Sequence, residues 1–121
     1  MTAVLKELYD FWNGFTINAY PERAVPDDAQ LPYITYDLKQ PNWRGATTYN
    51  VRVWYKDTSY TTIAGKVSEI SQAIGEGVRL NAEGVIIYLF KDENFLQWQP
   101  VEEEEEGLKV AYLSMIIHVL A

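Results

Sequence analysis

The 121-residue sequence contains no cysteine and a single histidine, His118. Without cysteine the chain forms no disulfide and offers neither a thiolate metal ligand nor a thiol nucleophile. One imidazole near the end of an apolar segment is more typical of a buried or edge histidine than of a catalytic base or a metal ligand. A phosphate-binding loop is missing too, since Gly75-Glu76-Gly77 lacks the remaining glycines and the lysine of that motif. No serine lies in the sequence pattern of a nucleophile elbow. We therefore expect no enzymatic activity, no metal and no cofactor.

Long apolar runs and basic clusters are equally scarce. The longest apolar runs, such as 85–90, fall far short of the roughly 20 residues of a membrane span, and the first residues carry no signal-peptide pattern. Acidic residues outnumber basic ones by 17 to 10, which gives a net charge of −7. Direct binding of nucleic acid normally needs a basic patch. We expect no membrane association and no specific DNA binding, although a protein that surrounds DNA without holding it stays possible.

What the chain does contain is a regular order of helix and strand patterns. Apolar spacing predicts a first helix over about Thr2 to Asn13. It predicts a second helix that begins after possible caps at Asp57, Thr58 and Ser59 and ends at Gly75 and Gly77. These elements predict one α+β domain over residues 1–121, in the order α-β-β-α-β-β-β, with two helices on one face of a mixed, largely antiparallel sheet. The predicted strands cover 32–38, 47–56, 78–81, 85–90 and 108–120, with short extended segments at 15–20, which could pair at a sheet edge, and 95–100.

Two glycines have specific predicted roles. Gly65 interrupts the second helix pattern, and we interpret it as a close approach of helix to sheet, with a hinge as the alternative. Gly84 ends the turn that begins at Asn81, where a positive φ favours glycine.

The segments 85–90 and 108–120 are apolar on both faces. In the first, Ile87 and Leu89 alternate with Tyr88 and Phe90. Two helices on a single face bury only one of these sets. The other set is expected to meet a curled sheet, a long loop or another subunit.

Aromatic side chains outside the core are the best candidates for contact with a partner, because Trp and Tyr dominate interface hot spots. Trp54 alternates in phase with Asn50, Arg52 and Lys56, so we expect an exposed tryptophan among charged neighbours. Trp43, in a loop, is the second choice. The candidate interface residues are Trp43, Arg52, Trp54, Tyr88, Phe90 and Trp98.

Five consecutive glutamates, Glu102, Glu103, Glu104, Glu105 and Glu106, are the strongest anomaly of composition. Like charges in a row repel one another and usually form a solvated loop. A second interpretation places them on the wall of a channel, where they repel DNA phosphates and prevent sticking. Calcium binding is a weaker third, since five adjacent carboxylates cannot all converge on one ion.

The order of elements resembles the tail-terminator and tail-completion (head–tail joining) proteins of long-tailed bacteriophages and prophages. The resemblance covers nearly the full length and rests on the strands at 31–36 and 49–55. An opening helix precedes them, and a helix carrying Ile63, Val67, Ile70 and Ile74, a hairpin and a last apolar strand follow. The connection over 16–31 and the five-glutamate run depart from a generic member.

The resemblance implies a structural virion protein that is compatible with a monomer in solution and forms a hexameric ring on assembly at the head-proximal end of the tail. Such a ring stops tail-tube growth and joins tail to head, with a channel for DNA. It further implies tail-tube and head–tail connector proteins as partners, assembly in the bacterial cytoplasm and a final place in the virion tail or neck. The alternative is a small ligand- or protein-binding module that uses the aromatic sheet face, for which we expect an enclosed apolar cavity.

Overall fold

A computed structural model of the chain describes residues 2–37, 46–99 and 107–120. Two α-helices, one short 3₁₀ turn and six strands lie within these residues. Their bounds are α1 Thr2–Trp12, the 3₁₀ turn Asn13–Phe15, β1 Asn18–Pro21, β2 Tyr33–Tyr36, β3 Ala46–Lys56, α2 Thr61–Ile74, β4 Val78–Ala82, β5 Val85–Gln99 and β6 Leu108–Leu120.

The six strands form one sheet in the order β1-β2-β3-β6-β5-β4. β1 pairs with β2 in parallel, and every other neighbouring pair is antiparallel. The α+β class and the largely antiparallel sheet are therefore confirmed. The extended piece predicted at the sheet edge is also present, as β1.

The two extended segments predicted at 85–90 and 95–100 belong to a single strand, β5. Lys91 pairs with Met115 and Leu96 with Leu113, so β5 carries three more residues than β6 over this stretch. The extra residues bulge out and pairing then resumes. The polar segment 92–94 looks like a loop in the sequence, but it is an irregularity inside one strand.

The core lies between the helices and one face of the sheet. Strict alternation in β3 points Tyr49, Val51 and Val53 toward the helices. The indole of Trp12, from α1, stacks on the Tyr49 ring at an interplanar angle of 18° and donates a 3.2 Å hydrogen bond to its hydroxyl. The side chains of α2 that face the sheet are fully or almost fully buried: Ile63, Val67, Ile70 and Ile74.

The start of α2 differs in detail from the expected caps. Tyr60 occupies the N-cap position and makes no side-chain capping bond. The Ser59 hydroxyl, one of the three predicted caps, accepts a hydrogen bond of 3.4 Å from the Thr61 amide. Hydrogen bonds from the Thr62 side chain and from nearby backbone amides, including that of Thr58, lower the pKa of Asp57.

The glycines of α2 and of the following turn show one wrong prediction and two confirmed ones. Gly65 is exposed, and a Cβ built on it meets nothing within 4 Å, so no close approach to the sheet requires a glycine there. Gly75 ends the helix with φ +54° and donates its N–H to the Ser71 carbonyl. Gly84, at φ +70°, has the left-handed backbone expected in the β4–β5 turn.

Candidate interface on the open face of the sheet

The side chains that alternate with the core residues form a second sheet face, which we call the open face. Strand alternation and the register between neighbouring strands define its members. Its members include Tyr33, Thr35, Asp37, Asn50, Arg52, Trp54, Lys56, Arg79, Ile86, Tyr88, Phe90, Asp92, Val110, Tyr112, Ser114, Ile116 and His118.

One half of the open face is aromatic and apolar. The rings of Tyr88 and Phe90 lie parallel within 11°, with their centroids 6.0 Å apart. Ile116 pairs with Phe90 across the strands, and His118 pairs with Tyr88. All four side chains are half-buried, whereas Ile87, on the opposite face of β5, is fully buried. The prediction of a second apolar set on these strands is confirmed.

Arg52 lies at the centre of the open face. Its register partners are Thr35 on β2 and Tyr112 on β6. The guanidinium carbon lies 4.5 Å from the centroid of the Tyr112 ring, a cation–π geometry that holds the group against the sheet. The Nε atom is buried and has no hydrogen-bond partner among the described residues. Such an atom normally has an acceptor, and the described residues do not supply one.

Trp54 is less exposed than predicted. Its indole is half-buried because Nε1 donates a 2.9 Å hydrogen bond to the Thr35 hydroxyl and the ring packs 6.2 Å from that of Tyr33. The expectation of an exposed tryptophan is therefore wrong, although Arg52 does lie on the same face. The indole N–H of Trp54 already has an acceptor within the chain, so the surface of its ring is the part left for contact with a partner.

Trp98 lies apart from the other candidates. It pairs with Ala111, so it belongs to the helix side of the sheet, where its 41% exposed ring meets Tyr60 edge-on at 5.2 Å. Lys109 lies over the Tyr60 ring, with Nζ 5.0 Å from its centroid. The structure thus groups Arg52, Trp54, Tyr88 and Phe90 but not Trp98. Trp43 and the run Glu102–Glu106 lie outside the described residues.

Two residues of the open face were missed by sequence reasoning. Tyr112 supplies the ring beneath Arg52, and Ser114 donates a 3.2 Å hydrogen bond to Asp92 in the β5 irregularity. The signal was present, because period two along 108–120 places Tyr112, Ser114, Ile116 and His118 on one face.

Other kinds of site find little support in the described part of the chain. Residues 2–37, 46–99 and 107–120 contain no group of three or more histidine or acidic side chains arranged to hold a metal ion. No helix among them is long and apolar enough to span a bilayer. A cavity of about 360 Å³ at the β4–β5 hairpin, lined in part by Arg79, Val85 and Leu120, is an open depression and not the enclosed pocket expected of a ligand-binding module.

We compared the chain with protein-family models, with curated proteins and with solved structures. None of the three comparisons found a match.

Proposed function

We propose that this chain is a structural protein of a phage tail or neck, which assembles into a ring at the head-proximal end of the tail. The ring ends growth of the tail tube, joins the tail to the head and leaves a channel through which DNA passes. The observation that carries the proposal is the open face, where the half-buried rings of Tyr88 and Phe90 stack on each other and the Tyr112 ring lies against Arg52. The buried Nε of Arg52 has no acceptor among the described residues.

The chemistry of the open face supports assembly over catalysis. Aromatic and aliphatic side chains, among them Tyr88, Phe90, Tyr112 and Ile116, occupy neighbouring positions of this face together with Arg52, and aromatic residues and arginine are enriched in interface cores. The half-buried Tyr88 and Phe90 give up little further conformational freedom on binding, because each ring already packs on the other. A subunit contact on this face completes the burial that the isolated domain leaves partial.

The resemblance in element order adds the second line of support. A ring of such domains at the end of a tail tube presents one rim to the last tube ring and the other to the connector. Acidic side chains on the channel wall repel DNA phosphates, so DNA slides without specific binding. The net charge of −7 suits this role.

Co-assembly with tail-tube protein tests the proposal. Purified chain is mixed with a phage tail-tube protein, and negative-stain electron microscopy and tube-length distributions are recorded. We expect rings of this chain on one end of each tube and shorter tubes at higher ratios of chain to tube protein. A chain that stays strictly monomeric and leaves tube length unchanged would contradict the proposal.

A further inference from the structure

Charge is distributed unevenly between the open face and the rest of the molecule. The register positions of the open face carry three bases, Arg52, Lys56 and Arg79, against two acids, Asp37 and Asp92. Among the described residues this face therefore has a net charge of +1, whereas the other described residues, with ten acids and five bases, have a net charge of −5. A surface that avoids the dominant charge of its own molecule suits a partner that carries that charge.

Within this face Arg52 contacts an aromatic ring and, among the described residues, no carboxylate. Asp92 accepts the hydrogen bond of Ser114, and Asp37 is buried with a partner of its own. The described residues provide no carboxylate within ion-pair distance of the Arg52 guanidinium, and its Nε has no acceptor among them. Stacking on Tyr112 holds the planar group in place, which favours recognition of an incoming carboxylate.

We propose that the open face docks a second copy of this chain, and that the Arg52 guanidinium receives a carboxylate from the acidic remainder of that copy. Face-to-face pairing of two open faces brings two sets of like charges together, whereas pairing of the open face with the acidic remainder joins opposite charges. The contact is therefore head-to-tail, and repeated head-to-tail contacts close into a ring when their rotation allows it. This inference rests on the proposed function and assigns the face through which the ring forms.

Sedimentation velocity on charge-reversed variants tests the contact. Arg52→Glu is compared with Arg23→Glu, which makes the same charge change at an exposed residue outside the sheet. Wild type and Arg23→Glu are expected to self-associate beyond dimers as concentration rises to millimolar, and more weakly as salt increases. Arg52→Glu is expected to associate at least about 30-fold more weakly, the scale typical of a lost buried charge pair. Equal association of both variants, or a wild type that stays monomeric at every concentration, would overturn the inference.

A crosslinking experiment keeps the test independent of any folding defect in Arg52→Glu. Arg52→Lys preserves the charge and introduces an amine that a zero-length carbodiimide reagent joins to a neighbouring carboxylate. Isotopically labelled and unlabelled chains are mixed, and mass spectrometry identifies crosslinks between the two. We expect position 52 to join an aspartate or glutamate of the other copy, with no such product in the matched variant Arg23→Lys. Crosslinks confined to one chain would count against the inference.

The two experiments separate this inference from the proposed function. If Arg52→Glu still forms rings that shorten tail tubes, the function stands and the docking face is wrong. If wild type self-associates through Arg52 but never caps tubes, the docking face stands and the function is wrong. Crosslinks from position 52 only to an added tail-tube protein would identify a foreign acidic partner and would overturn the choice of a second copy.

Discussion

At the scale of single residues, Gly77 determines how Phe90 lies on the open face. A Cβ built on Gly77 falls 2.9 Å from the Phe90 ring, closer than real Cβ atoms approach, and its φ of +144° strains any other residue. Only a glycine therefore allows the ring to lie flat beside Tyr88. Gly65 has neither constraint, since it is exposed in the middle of α2 with open space around it.

These two glycines predict opposite effects of the same substitution. Gly77→Ala is expected to destabilise the fold by about 1–3 kcal/mol, because it combines backbone strain with a clash. Gly65→Ala is expected to stabilise it by about 0.4–1 kcal/mol, because alanine lowers the entropy of the unfolded chain and favours helix. Urea denaturation followed by circular dichroism measures both. A destabilising Gly65→Ala would show that the helix needs this glycine for a reason that its surroundings do not reveal.

The buried phenol of Tyr49 predicts an alkaline limit to stability. Burial raises the pKa of Tyr49 far above its ordinary 10.0, and burial also raises the pKa values of Tyr36 and Tyr55. The unfolded phenols lose their protons near pH 10 while the folded ones retain them, so their stabilising effect is complete below pH 10 and declines as pH rises above it. Unfolding free energies measured from pH 8 to 11 should fall steeply above pH 10 in wild type.

Tyr49→Phe should flatten that alkaline decline while costing about 1–3 kcal/mol at neutral pH, because the Trp12 indole loses its acceptor. Tyr9→Phe is the matched control, since its ring is 50% exposed. An equally steep decline in Tyr49→Phe and wild type would contradict the assignment to this phenol.

At the scale of elements, one lysine ties α2 to the turn that follows α1. Lys66 Nζ donates to the Phe15 carbonyl at 2.6 Å, to the Thr16 hydroxyl at 3.0 Å and to Glu69 at 3.0 Å. Thr16 has a left-handed backbone, with φ +65°, in which threonine is uncommon. The lysine therefore holds a strained turn from a helix fifty residues later in the chain.

Loss of this tie should be measurable. Lys66→Met is expected to destabilise the fold by about 1–3 kcal/mol, because its amine is largely buried and the Phe15 carbonyl loses its charged donor. Lys6→Met removes an i,i+4 pair with Asp10 whose lysine is 74% exposed, and should change stability by less than about 0.5 kcal/mol. Chemical denaturation of the two variants compares them. Similar losses in both would show that burial does not distinguish these lysines.

The elements themselves could be predicted because their patterns are strong and local. β3 alternates strictly and α2 repeats its apolar residues every three or four positions, so tertiary context reinforces the local signal. The neighbours of Arg52 could not be predicted from the sequence, because Thr35 and Tyr112 come from other strands and the register between strands is set by long-range pairing. For the same reason the hydrogen bond from Trp54 to Thr35 could not be predicted. The polar stretch in β5 was wrongly predicted as a break between two strands, because a bulge and a loop have similar composition.

At the scale of the whole molecule, the acidic run Glu102–Glu106 remains a prediction from sequence. If it lines the channel of a ring, replacing Glu103, Glu104 and Glu105 by Ser should leave folding within about 0.5 kcal/mol of wild type. DNA passage through assembled particles should be impaired, because the wall loses its repulsion for phosphates. Thermal unfolding and DNA-ejection assays on complemented particles measure the two effects.

A matched control removes three other carboxylates. The triple change of Glu22, Asp27 and Asp28 to Ser alters net charge equally at exposed positions between β1 and β2. It should leave DNA ejection unchanged. Unchanged infectivity in both triple variants would reduce the glutamate run to a solvated loop.

The central place of β6 has a consequence for how the chain folds. Residues of β3 pair with residues of β6 that lie from 52 positions away, Lys56 with Leu108, to 72 positions away, Ala46 with His118. Until β6 emerges from the ribosome, β1–β3 and β4–β5 are two separate half-sheets, each with an inner edge that has no strand to pair with. Such long-range pairing folds slowly and leaves strand edges exposed meanwhile. The chain is therefore most prone to wrong association during synthesis, before the strand that joins the two half-sheets has been made.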